Sequence, residues 1–228
     1  MSSALTSYRR LWGAAGASFV AVAFFGRIPL AMSQMGVLLL VAQATGSYGT
    51  AGATAGALAV ANALGAPVFG AAADRVGQRV VVQTQALLGA IGLVAIVLLA
   101  ERQVNSGVLM AVAAVTGLAM PQVGPLARVR WRPVLQRKVK NGQLAETDVD
   151  RFVDLAFSYE GAADEASFVL GPALVGILGV LIGPDGALLA AAVLLAVFGT
   201  AFALHPTAKG VPRHHEHVQV SGANRRTT

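Results

Sequence analysis

The sequence predicts an all-α membrane protein with six transmembrane helices, and three observations carry that expectation. Of 228 residues, 55% are apolar and 12% charged, about half the charged share of a soluble domain. The apolar residues gather into six long runs separated by short polar breaks, and a run of roughly 20 such residues is what a bilayer core requires. No segment alternates apolar and polar residues as a strand would, which leaves helices as the spanning element.

The first run, 17–43, follows Arg9 and Arg10. It exceeds the roughly 7–15 residues of a signal-peptide core, so it reads as an uncleaved helix. "QATGSYG" separates it from the second run, 51–72, and "ADRVGQR" separates that from the third, 80–100. "ERQVNSG" precedes the fourth, 107–127. A long polar loop, "ARVRWRPVLQRKVKNGQLAETDVDR", leads to the fifth, 154–181, and the tight turn "GPDG" to the sixth, 186–205. The expected organisation is a cytoplasmic N-terminus over 1–16, a six-span bundle over 17–205 and a disordered cytoplasmic tail over 206–228. Its cytoplasmic loops fall at about 73–79 and 128–153.

Lysine and arginine set the direction. Fifteen of the 17 fall on one side: the N-terminus, the second–third loop, the long loop and the tail. Arg102 alone falls on the other side, and Arg27 lies inside the first run. The positive-inside rule then makes the protein multi-pass in a plasma (inner) membrane, with both termini cytoplasmic. The formal net charge of +6 is explained by orientation and calls for no nucleic acid. Cysteine is absent, so disulfides and thiolate metal sites are excluded. In the second run Gly52 and Gly56 form a small-xxx-small pair, continued by Gly65 and Gly70, which suits close helix packing in lipid.

A guanidinium in a span needs a partner. The fifth run carries Glu160, Asp164 and Glu165. Arg27 lies eight residues past Phe19 and Asp164 nine past Leu155, so both sit about 12–14 Å into their helices. Glu160 and Asp164, four residues apart, share a face, while Glu165 is turned about 100° from Asp164. The expectation is a pair between Arg27 and Asp164 or Glu165, leaving another carboxylate to titrate. A plain ion pair locking two helices is the competing reading.

The stretch "GAAADRVGQRVVV" resembles the signature loop of the major facilitator superfamily, through Gly70, Asp74, Arg75, Gly77 and Arg79. Gln78 replaces the first member of the usual basic pair. On the residues alone, Gly70 and Gly77 permit a tight turn at a helix end, and Asp74 can cap the following helix or face a helix N-terminus. "GAADEASFVLGPALVG" is similar to the Gly-Pro motif of the family's drug–proton antiporters, at Gly171, Pro172 and Gly176, with imperfect spacing. The resemblance implies one six-helix half of a twelve-span transporter that exports a small molecule against a proton gradient. It further implies that spans one and four line a cavity, with Arg27, Gln34, Met35, Pro121 and Gln122 as substrate-contact candidates.

No nucleophile–base pair, phosphate loop or metal-ligand spacing is present, so neither an enzyme nor a bound metal or organic cofactor is expected. The expected partners are the bilayer, a small apolar or amphipathic solute, and either a second six-helix half or a second copy. A bundle that transports nothing and binds a partner subunit, or an inactive truncated half, remains the alternative. The tail sequence "HHEH" reads as polar rather than as a metal site.

Overall fold

The computed structural model describes residues 12–13 and 16–211. Among these residues the protein is helical, with turns and no strand. Helix α1 runs Ala17–Thr45, α2 Tyr48–Val76, α3 Gln78–Glu101, α4 Ser106–Ala119 and α5 Val123–Lys140. A 3-10 turn, Glu146–Asp148, leads into the element Val149–Leu194, which continues through a π turn, Leu195–Gly199, into Thr200–Leu204.

The element Val149–Leu194 is not one rod. Gly183 adopts φ 81° and ψ 162°, outside helical geometry, a conformation that glycine alone adopts without strain. Contacts with α1 show that the chain reverses there. Before Gly183, Asp164 meets Arg27, Gly171 meets Ala31, and Gly179 shares a groove with Ala42, so the two segments run parallel. After Gly183, Leu188 meets Gly36, Phe198 stacks on Phe25 and His205 reaches Ser18, so they run antiparallel. We name these segments α6 (149–182) and α7 (184–204).

Local chemistry sets the other boundaries. Gly46, in the left-handed region at φ 66°, ends α1, and the Ser47 side chain accepts the Thr50 N–H to start α2. One residue, Gly77 at φ 101°, separates α2 from α3. Gly70 and Asp74 both lie inside α2, so the turn falls at Gly77 and not at Gly70, and no side chain caps α3, contrary to the roles expected of them. Asn105 caps α4 through Gly107 N–H at 2.7 Å.

Five stretches are long and apolar enough to cross a membrane: Ala17–Thr45, Tyr48–Val76, Gln78–Glu101, Ser106–Lys140 and Glu146–Gly210, the last containing the reversal. Their outward faces are apolar: Leu64 is 66% exposed, Ile91 65% and Val180 88%. Water would penalise such a surface and lipid would not, which is consistent with a multi-pass membrane protein. Helix α1 is the most enclosed span and α2 the least.

The polar segment 128–153 is not a loop. Helix α5 continues to Lys140 and α6 starts at Val149, so most of it is a helical hairpin. Leu135, Val149 and Val153 form a small core between its two legs. Arg137, Lys138 and Lys140 fill the last turn of α5 and Asp150 the first turn of α6, where each sign is favoured by the helix dipole. Pro206–Gly210 forms a 3-10 turn with Thr207 buried against Arg130, so the expected disordered tail does not begin at 206. Arg9, Arg10, the basic tail residues beyond 211 and the "HHEH" segment lie outside the described residues.

Candidate functional site

Among the described residues, four charged side chains of α1, α5 and α6 form a network. Arg27 on α1 pairs with Glu160 on α6, and its Nε lies 2.8 Å from Asp164 Oδ1. Arg128 on α5 donates from Nη2 to Asp164 Oδ2 at 2.6 Å. Trp131, three residues further along α5, donates its indole N–H to Glu160 Oε1 at 2.6 Å. Two guanidinium and two carboxylate groups leave the network without net charge. Enclosure is graded across it: Glu160 is fully buried and Arg27 5% exposed, whereas the side chains of Asp164 and Arg128 are 25% and 40% exposed.

Position follows from the helices. Arg27 lies ten residues into α1 and 18 from its far end, about 15 Å and 27 Å respectively. Trp131 is held by edge-on contact with Phe19, ring centroids 5.4 Å apart, and with Tyr159 at 6.3 Å. Gly124, in the first turn of α5, faces Asp164: a Cβ there would meet Asp164 Oδ1 at 2.6 Å. The missing side chain brings the carboxylate against the positive end of α5.

Helices α4 and α5 are the halves of a broken helix. The break spans Met120, Pro121 and Gln122. Gln122 donates to Asn62 Oδ1 at 2.6 Å, and Asn62 Nδ2 reaches Gly117 O at 3.1 Å and Met120 O at 3.0 Å.

A separate polar contact lies nearer the basic end. Arg130, fully buried, donates from Nε to Gln78 Oε1 and from Nη1 to Phe202 O, both at 2.8 Å. Its guanidinium lies 3.6 Å from the Phe202 ring centroid. Phe202 O is among the last carbonyls of α7, which lack helical partners, so Arg130 ties α5 to the negative end of α7.

The expected residues therefore divide. Arg27, Glu160 and Asp164 meet; Glu165 is exposed and forms no ion pair among the described residues. Arg27 takes Glu160 and Asp164 together, and neither carboxylate is left unpaired. Gln34 is half-buried, Met35 exposed, and Pro121 buried within the break. Asp74, Arg75 and Arg79 are exposed and unpaired among the described residues, while Gly70 faces open space. Gly171 packs on the α1 backbone, with Met32 N 3.0 Å from where its Cβ would stand, and Gly176 faces open space beyond Pro172. Gly52 and Gly56 also face open space, whereas Gly65 packs against Leu118.

Arg128, Trp131, Gly124 and Asn62 were not singled out as site residues from the sequence. A signal existed for Trp131: with Val134 and Leu135 it makes an i, i+3, i+4 apolar pattern within the charged stretch. The chain matches no protein-family model, no curated protein and no solved structure.

Proposed function

We propose that this chain is a small-molecule transporter, or one half of one, with six membrane crossings and both termini in the cytoplasm. The observation that carries the reading is the four-charge network, sealed at Glu160 and Arg27 and accessible at Asp164 and Arg128, beside a broken helix and inside stretches long enough to span a bilayer. Ionised groups at that depth are costly and mark ion or substrate pathways. Discontinuous helices are typical of binding sites near the midplane of transporters.

The chemistry is proton-coupled export. Asp164 and Arg128 form the accessible end of the network, and Glu160 the sealed end. A proton arriving at Asp164 removes the charge that Arg128 and Arg27 share and loosens α5 from α6, while Arg27 keeps Glu160. The cargo is an apolar or amphipathic solute, since the helices expected to line its path, α1 and α4, are mostly Ala, Val, Leu, Gly, Met and Phe and offer little hydrogen bonding. The resemblance of 70–82 to the major facilitator signature loop supports this reading, and the reversal at Gly183 is the basis on which we count 184–204 as a sixth crossing.

A second reading has its own observation. Helix α2 is the least enclosed span, and its Gly52 and Gly56 pack against nothing among the described residues. Such a small-residue face suits another bundle or a second copy. The test is the detergent-corrected mass of the purified protein followed by proton-driven dye flux in proteoliposomes. A dimer with flux supports a self-paired transporter; a monomer without flux supports a half that needs a partner.

A further inference from the structure

The break between α4 and α5 has a cause in the sequence and a clasp in the structure. Pro121 and Pro125 stand four residues apart. Neither has an N–H, so the carbonyls of Gly117 and Pro121 each lose their helical donor. Val123 N–H turns back to Pro121 O at 3.2 Å. The Gly117 carbonyl, which also accepts the Met120 N–H at 3.1 Å, and the terminal Met120 carbonyl accept from one buried amide, Asn62 of α2, at 3.1 and 3.0 Å. The same amide accepts from Gln122, the residue before α5, at 2.6 Å. One side chain thus holds both lips of the break.

Asn62 is brought there by its neighbours. Leu58 and Gly65 lie about one turn to either side on the same face. The Leu58 backbone packs directly on Gly117, and Gly65 packs on the Leu118 backbone so closely that an added Cβ would stand 3.2 Å from the Leu118 carbonyl oxygen. Glycines on both helices allow this approach, and the 6%-exposed amide then has no water to compete with. Four residues past Met120, Gly124 faces Asp164.

We infer that Asn62 is a positioning residue: by clasping the break it fixes the first turn of α5 against Asp164. This rests on the reading of Asp164 as the proton-handling group. The amide touches neither the network nor the cargo; it acts through the placement of α5.

The test uses the full chain with Trp12→Phe, which leaves Trp131 as the single tryptophan. Asn62→Leu and Gln122→Leu remove the clasp from opposite sides. Leu109→Ala, at a buried α4 position, supplies a variant that loses stability elsewhere. The clasp predicts a red shift of Trp131 emission in both clasp variants and in their double mutant, no larger in the double, with none in Leu109→Ala. In dye flux normalised to monodisperse protein, it predicts a loss of turnover with KM retained. Unshifted emission in the clasp variants, or an equal shift in Leu109→Ala, overturns the inference. A folded wild-type protein that moves no dye defeats the transport reading alone, and emission still decides the clasp.

Discussion

Replacing Glu160 by leucine separates a buried charge from its partner in a place where the consequences can be counted. Glu160 is fully buried and accepts from both Arg27 and Trp131. Without it the network carries one excess positive charge, and the indole N–H loses its acceptor. Removing one member of a buried pair costs about 3–5 kcal/mol. Asp164, 2.8 Å from Arg27 Nε, retains part of the compensation, so the lower end of that range applies to the charge. The orphaned indole adds about 1 kcal/mol, for a total of roughly 4 kcal/mol. At roughly 2–4 °C per kcal/mol for a chain of this size, the thermal midpoint in detergent falls by about 8–16 °C. Arg27→Leu combined with Glu160→Leu removes both charges and leaves Asp164 with Arg128. An apolar replacement of a whole buried pair is often neutral or stabilising, so the double variant recovers most of the loss. A silent Glu160→Leu, or a double variant as unstable as the sum of both single ones, refutes the reasoning.

Further outcomes follow from contacts elsewhere. Arg130 Nη2 and Gln78 Nε2 are buried donors without an acceptor among the described residues, although Arg130 Nε already meets Gln78 Oε1. Gln78→Glu supplies a carboxylate for both donors on that guanidinium edge; thermal melts are expected to show a gain of about 1–2 kcal/mol. Gly117→Ala drives a methyl group into the Leu58 backbone, with Leu58 Cα at 3.0 Å, which has no side-chain end to move aside. That variant should lose about 1–3 kcal/mol in the same assay. Gly56→Ala meets open space and should melt at or above the wild-type midpoint, because alanine is the better helix former. If α2 carries an interface, Gly56→Leu lowers the dimer fraction read by detergent-corrected mass.

The helices were legible because lipid imposes a strong length and composition rule, and their ends were legible at Gly46, Gly77 and Gly183, where the backbone needs what glycine permits. Arg27 stood out as a charge in an apolar run, and the depth estimate brought it to the acids of α6. Which acid it would meet was not legible, because the rotation of α6 about its own axis is fixed by packing such as Gly171 on Ala31. Arg128 was assigned to a loop because a charged stretch after a span resembles one. Trp131, Val134 and Leu135 instead give it a buried face and carry α5 onward. Asn62 is one polar residue in an alanine-rich span, and its role exists only where α2 crosses the break.

The central claim, that the charge network handles a proton during transport, is met most directly by proton-driven flux of a lipophilic dye in proteoliposomes, comparing wild type with Asp164→Asn. The account predicts that the wild-type protein moves dye when a pH gradient is imposed and that equally folded Asp164→Asn does not. Equal flux in the two, or none from a well-folded wild-type dimer, would contradict it.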